Sequence, residues 1–452
     1  MKRRSFFSQI AHGSALAGLF AAGKSYGAEA PKISTPRLSP IKITRVKAIL
    51  TAPARIRLCV VKVETSEPGL YGIGCATFTQ RIRTVVTAVD EYLAPFLAGK
   101  DPDNIEDIWQ AMYQSSYWRN GPVLMNGLSG VDAALWDIKA KRAGMPLYQL
   151  LGGKCRTAVP VYRHAAGPRL EAVAERARQF MSEGARYIRI QVGVAGQSTY
   201  GAGDGGSSTN QPPRLTGDGH FAGELFEPAA YRRSVPKLFK YMREQLGEEV
   251  ELLHDMHERL PPIDAIGLCR ELEQYRPFFL EDPFAPEDVG YFKTLRQLCS
   301  APIAMGELFN NPNEWLDLVS GRLIDFIRCH LSQVGGISAA RKIAALCEFF
   351  RVRTAWHGPG DTSPVGHAAQ AHLDLATTNF GIQEAPGFND ALKEVFPGCP
   401  EIRDGMLWCN DKPGLGIDID ESLAAKHPIR DDPPFDLQWG RLRDRDGSIR
   451  RP

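Results

Sequence analysis

Eight short apolar runs, each finished by an ionisable side chain, constrain this chain more than any other feature. They are VPVYRHAAG, YIRIQVG, VELLHDMHE, PFFLEDPF, PIAMGELF, IDFIRCHLS, VRTAWHGPG and FGIQEAPG. Between them lie amphipathic stretches such as LEAVAERARQFMSEG, YRRSVPKLFKYMREQLG and SAARKIAALCEFF. Runs this short, bounded by turn residues and separated by helix-period segments, read as βα units. Eight such units over about 230 residues predict a closed (β/α)8-type barrel, a modified TIM barrel, over residues 156–390. An open doubly wound sheet is the alternative, but no GxGxxG follows the first strands. Before the barrel, ITRVKAIL, IRLCVVKVET and YGIGCATFT are β-rich, and RIRTVVTAVDEYLAPFLAG, NIEDIWQAMYQSSYWR and GVDAALWDIKAKRAG are helical. Residues 41–155 therefore read as an N-terminal α+β capping domain. Residues 391–452 are expected to pack back on it.

The first thirty residues have another character. A basic cluster, Lys2-Arg3-Arg4, leads into a Gly/Ala-rich apolar stretch that closes on Ala28-Glu29-Ala30. Arg3-Arg4 followed by Ser5-Phe6-Phe7 fits a twin-arginine export signal with an A-x-A cleavage site, and so a periplasmic protein. The alternative is a basic tail on a cytoplasmic protein. Residues 31–40, rich in Pro and Ser, read as a linker. The apolar part is too short to span a membrane, and no stable membrane association is expected. Lys and Arg total 54 against 52 Asp and Glu, a net charge of +2, which gives no footprint for nucleic acid. Nine scattered cysteines include no CxxC pair, so neither a zinc site nor a disulfide framework is expected.

The ionisable ends of the runs carry the chemistry. Barrel strand ends open into one mouth at the C-terminal face. There the sequence places Arg189, Asp255 with His257, Glu281, Glu307, Arg328, His357 and Glu384. Asp255, Glu281 and Glu307 recur every 26 residues, about one βα unit. Three converging carboxylates repel unless a cation joins them. An all-oxygen donor set with room for water and substrate suits Mg²⁺, one per active site. His257, two residues after Asp255, is expected on the same side of the strand, beside the metal, with His254 on the other side in a structural role. The GPGD turn at 358–361 is expected to aim Asp361 inward. His164 is a candidate for lining the mouth, and His367 and His372 read as structural.

These motifs resemble the enolase superfamily (mandelate racemase/muconate lactonizing enzyme-like) and, within it, the D-mannonate dehydratase group. The likeness rests on YWRNGPV, GVDAALWDIKAKRAGMPLYQLLGG, IRIQ, LLHDMHERL, FLEDP, GELFN, DFIR, HGPGDTSPVG, NFGIQE and DKPGLGIDIDE, spread over nearly all of the chain past the leader. The resemblance implies a hydro-lyase that dehydrates an acid sugar such as D-mannonate or D-gluconate to a 2-keto-3-deoxy acid. It implies Mg²⁺ on Asp255, Glu281 and Glu307, a proton-abstracting pair Tyr200–Arg189, and His257 as general acid. Arg328, His357, Asp361 and Glu384 would contact the substrate, and a homo-oligomer is expected. The Lys-x-Lys of many superfamily members is replaced by Arg189-Ile190-Gln191. Arginine stays charged and is a poor base, but it favours the phenolate of a nearby tyrosine, which fits Tyr200 in the long loop at roughly 192–228. The chain departs from the group at Thr79, Arg163 and Gly360, and its last ten residues lack a Trp. These departures are expected on the substrate side, with Thr79 a possible mouth residue. They keep two other readings open: a low-activity or non-catalytic sugar-acid-binding relative with a regulatory role, and a superfamily racemase or epimerase.

Overall fold

A computed structural model describes residues 39–193, 224–430, 442–443 and 448–449. Tyr200, most of the loop that carries it, and the N-terminal leader lie outside the described residues. The capping domain begins with an antiparallel meander of β1 (Ile43–Thr51), β2 (Leu58–Thr65) and β3 (Tyr71–Cys75). Helices α1 (Ile105–Gln114) and α2 (Pro122–Arg142) follow. The YGIGC sequence of β3 has a steric reason. A Cβ on Gly72 would lie 1.9 Å from the Ala134 carbonyl oxygen, and one on Gly74 would lie 2.1 Å from that of Gly130. Backbone of α2 thus rests directly on backbone of β3, which only glycine permits.

The barrel strands are β4 (Val159–Gly167), β5 (Tyr187–Val192), β6 (Glu251–Asp255), β7 (Phe279–Glu281), β8 (Ile303–Met305), β9 (Phe326–Ile327), β10 (Arg353–Thr354) and β11 (Gln383–Glu384). Each pairs in parallel with the next, a bridge from Thr354 to Phe380 carries β10 to the run leading into β11, and β11 pairs with β4. The sheet is closed, so the open doubly wound alternative is excluded. Tyr162, Leu253, Phe279, Ala304, Phe326, Ala355 and Ile382 fill its interior as one packed layer. Outer helices include α3 (Leu170–Ser182), α4 (Pro228–Leu246), α5 (Pro262–Leu272), α6 (Phe292–Leu298), α7 (Pro312–Ser320), α8 (Gly336–Phe350) and α9 (Pro364–Ala376). Among the described residues no helix is long and apolar enough to cross a membrane. All nine cysteines are free, and six are buried.

Two buried acids of α2 stitch the cap to its neighbours. Asp137 accepts from Ile73 N on β3 (3.1 Å), Leu415 N (2.8 Å) and Lys141 Nζ (2.7 Å). Asp132 accepts from Ser338 N on α8 at 2.9 Å and from the Ser338 hydroxyl. Burial pushes the Asp132 carboxyl up to about 7, against the lowering effect of its Ser338 bonds. The folded state then holds a proton that the unfolded chain has released, so stability falls as pH rises from about 4 to about 7, by about 1.4 kcal/mol per unit of pKa difference. Asp132→Asn should flatten this slope. Urea midpoints at pH 5 and pH 8 for both proteins test it, and equal pH sensitivity would refute it.

The chain beyond the barrel divides. A hairpin of β12 (Glu401–Arg403) and β13 (Met406–Trp408) extends β4 antiparallel. Glu421 then pairs with Lys47 (2.5 Å) and Lys62 (2.8 Å) of the capping sheet, and Thr51 Oγ1 donates to the Ala424 carbonyl at 3.0 Å. Leu442–Arg443, however, pairs in parallel with Glu224–Leu225, just ahead of α4. The residues after the barrel thus pair with strand β4 and with the segment leading into α4 as well as with the cap. Two extended backbone segments can complete each other's hydrogen bonds wherever they meet, and sequence pattern does not say where.

Candidate active site

The strand register brings the ionisable ends together. Asp255 lies opposite Glu281, and Glu281 opposite Ala304, three residues before Glu307. Arg189, on β5, donates through Nη1 to Asp255 Oδ2 (3.2 Å) and Glu281 Oε1 (2.9 Å). Arg328, just past β9, is fully buried. Its Nη2 meets Glu281 Oε1 (2.6 Å) and Glu384 Oε2 (2.7 Å), and its Nη1 meets Glu307 Oε2 (2.7 Å) and Asp282 Oδ2 (3.3 Å). Arg328 also donates to the hydroxyl of buried Tyr162 through Nε (3.3 Å) and Nη2 (3.2 Å). The resemblance implies a substrate contact for Arg328; its described partners are Tyr162, Glu281, Asp282, Glu307 and Glu384.

Histidines line the rim. His357 Nδ1 lies 3.2 Å from Glu307 Oε2 and 3.1 Å from Glu384 Oε2. Burial works to lower its pKa, but these two carboxylates outweigh it and raise the pKa above the ordinary value. His164 Nε2 lies 2.8 Å from Glu384 Oε1, while its Nδ1 accepts from Arg189 Nη2 (3.2 Å). Burial and the nearby Arg189 hold His164 at about 4. His257 Nε2 is 3.5 Å from Glu307 Oε1. Its position needs a correction. β6 ends at Asp255 and His257 has a left-handed φ of 50°, so the alternation of a strand does not place it. A turn places it, held by the His257 N–H donating to Asp255 Oδ1 at 2.8 Å.

Asp361 meets the cap where Thr79 Oγ1 donates to its Oδ2 (3.3 Å). Its buried Oδ1 has no hydrogen-bond partner among the described residues, and burial raises its pKa. Gly360 adjoins the cap as well: a Cβ there would meet Ile56 Cδ1 at 3.3 Å. Arg163 does not face the substrate side. It points outward between inward-facing Tyr162 and His164, stacks over Phe180 (4.4 Å) and donates to the Pro386 carbonyl (3.3 Å). Strand alternation, applied to β4, would have shown this. His367 and His372 are buried and bonded to the Pro359 and Leu415 carbonyls (3.4 and 3.1 Å).

Among the described residues, five carboxylates (Asp255, Glu281, Asp282, Glu307 and Glu384) meet two guanidiniums. Positive charge is short. Burial pushes Glu281 up to about 8 despite Arg328 and Arg189, and pushes Asp282 up as well. For Glu307 and Glu384 burial acts in the same direction, but Arg328 and His357 outweigh it and hold both below the ordinary range. Asp255, Glu281 and Asp282 offer oxygens within 4.8 Å of one another. A buried, oxygen-only, charge-deficient cluster fits a hard divalent cation. Asp282 is the third member of this cluster, while Glu307 faces Arg328, His257 and His357. Asp282 and Tyr162 were the members not singled out from sequence. The only signals were the acid next to Glu281 in FLEDP and the inward register of β4.

A closed barrel under an α+β cap, with acids, guanidiniums and histidines gathered at the strand C-termini, defines an enolase-type barrel enzyme. Residues 33–152 match the mandelate racemase/muconate lactonizing enzyme N-terminal domain, and residues 172–423 match the enolase C-terminal domain-like family. A D-galactonate dehydratase family member of Salmonella enteritidis is 55% identical over 92% of this chain and 100% of its own length. A second, from Pantoea ananatis, is 55% identical over the same shares. A crystal structure of an enolase from Pantoea ananatis with bound D-gluconate and Mg superposes with a TM-score of 0.85 at 54% identity, covering 91% of this chain and 100% of that one. The chain belongs to the D-galactonate dehydratase family of the enolase superfamily. The superfamily is the one its motifs resemble; the relatives carry the D-galactonate name rather than that of the D-mannonate group.

Proposed function

We propose that the protein is a Mg²⁺-dependent dehydratase of an acid sugar, D-gluconate, D-mannonate or a related aldonate, yielding a 2-keto-3-deoxy acid. The observation that carries this reading is the charge-deficient carboxylate cluster at the barrel mouth, flanked by His257 and His357. The gluconate and Mg in the Pantoea ananatis structure support the same class. Asp255, Glu281 and Glu307 would hold the cation. Glu307 is the part-exposed acid (12%) facing the mouth, whereas the Asp282 side chain is 1% exposed and accepts from Gly306 N at 3.0 Å. When bound, Mg²⁺ draws charge from the substrate carboxylate and acidifies the adjacent C–H.

The chain's own residues do the rest. Tyr200, favoured as phenolate by the Arg189 guanidinium, takes the α-proton. His257 gives a proton to the departing β-hydroxyl. His357, whose positive charge is favoured by two carboxylates, and Asp361, with an open acceptor, bind and orient the sugar acid. A racemase would need a base on each face of the carbon, and the Lys-x-Lys that would supply one is replaced by Arg189-Ile190-Gln191. The leader supports export, and the family match begins only at residue 33, beyond it; we place the protein in the periplasm as a homo-oligomer.

The test is an end-point screen. Protein starting at Pro31 is incubated with Mg²⁺ and a panel of aldonates, and 2-keto-3-deoxy acids are detected. Tyr200→Phe and His257→Asn should each lower turnover by about 10²- to 10⁴-fold. No product from any aldonate, with Mg²⁺ still bound, would favour the sugar-acid-binding relative instead.

A further inference from the structure

Behind Asp255 the two strands that carry the site part company. The ladder between β5 and β6 ends at Arg189 and Leu253. Ile190 and Asp255, which lie just beyond it, have carbonyl groups that the ladder no longer serves. Side chains take over. His254 Nδ1 donates to the Ile190 carbonyl at 2.8 Å, and Gln191 Nε2 donates to the Asp255 carbonyl at 3.0 Å. The proton on Nδ1 leaves His254 Nε2 as an acceptor. Tyr231 OH lies 2.7 Å from that nitrogen and 3.2 Å from the Asp255 carbonyl, so its one proton is directed between the two.

All three side chains are buried. Tyr231 stands in the first turn of α4, and Phe239, further along α4, meets the His254 ring edge-on at 6.0 Å. The arrangement joins β5, β6 and α4 at the level where Arg189 Nη1 contacts Asp255 Oδ2. A carboxylate can serve a cation only if its backbone is held, because small displacements of a ligand cost affinity.

We propose that Gln191, His254 and Tyr231 are positioning residues: together they clamp the Asp255 backbone against β5 and so set the spacing between the metal-binding carboxylate and Arg189. This rests on the reading of Asp255 as a Mg²⁺ ligand. The three act through the Asp255 carbonyl and the Ile190 carbonyl.

Isothermal titration of Mg²⁺ into metal-free full-length protein is the test, run beside melting curves in chelator. Tyr231→Phe and Gln191→Met should each weaken Mg²⁺ binding by about tenfold, in the range seen when outer partners of metal ligands are removed. His254→Asn keeps a donor where Nδ1 stands and should retain more affinity than His254→Leu. A merely structural role predicts the opposite pattern, lower melting temperatures with unchanged Mg²⁺ affinity, and would overturn the clamp. So would Tyr231→Phe and Gln191→Met both binding Mg²⁺ within twofold of the parent. A parent protein that binds no Mg²⁺ would overturn the metal-site reading, and the clamp with it.

Discussion

Arg328→Met should destabilise the metal-free protein by about 3–5 kcal/mol, the usual cost of removing one partner from a buried ion cluster. The guanidinium is the shared counter-ion of four acids, Glu281, Asp282, Glu307 and Glu384. Methionine replaces the apolar stem but leaves those carboxylates facing one another with Arg189 as the remaining guanidinium in the cluster. The loss should be largest at high pH, where the acids cannot relieve repulsion by taking up protons. It should shrink in Arg328→Met/Glu384→Gln, which removes one of the stranded charges. Denaturant melts of the three proteins in chelator decide the matter. A loss under about 1 kcal/mol would mean that water or local relaxation replaces Arg328.

Asp255→Asn should abolish Mg²⁺-dependent turnover, by about 10³-fold or more. That corresponds to about 4 kcal/mol of transition-state stabilisation, in the range a bound metal supplies. The substitution keeps the shape of the side chain and, through Oδ1, its contact with His257 N, and removes the charge together with the Oδ2 acceptor that faces Arg189 Nη1. The third ligand can be settled in the same experiment. Glu307→Gln should weaken Mg²⁺ binding strongly, while Asp282→Asn should mainly lower stability, because Asp282 is tied to Gly306 N and Arg328. The reverse result would assign the third oxygen to Asp282, which lies with Asp255 and Glu281 in the described cluster. Unchanged turnover in Asp255→Asn would remove the metal reading altogether.

Much of this was legible in the sequence, for a physical reason. Burial on both faces forces a parallel barrel strand to be short and apolar, and the barrel's open end forces the polar groups to the strand termini. Periodicity therefore fixed the fold class. Strand position likewise fixed that Arg189, Asp255, Glu281, Glu307, His357 and Glu384 share one mouth. Spacing along the chain says nothing of what happens past the last strand residue. His257 reaches the site through a left-handed turn rather than by alternation, and Glu307 swings toward Arg328 and two histidines. The tail strand finds its partner beside α4. Arg163 and Tyr162 are neighbours in sequence, yet one stacks on an outer helix and the other lies at the heart of the charge cluster. Such outcomes depend on which buried groups compete for too few counter-charges and unsatisfied backbone groups. That competition exists only once the barrel has closed and brought them within a few ångströms.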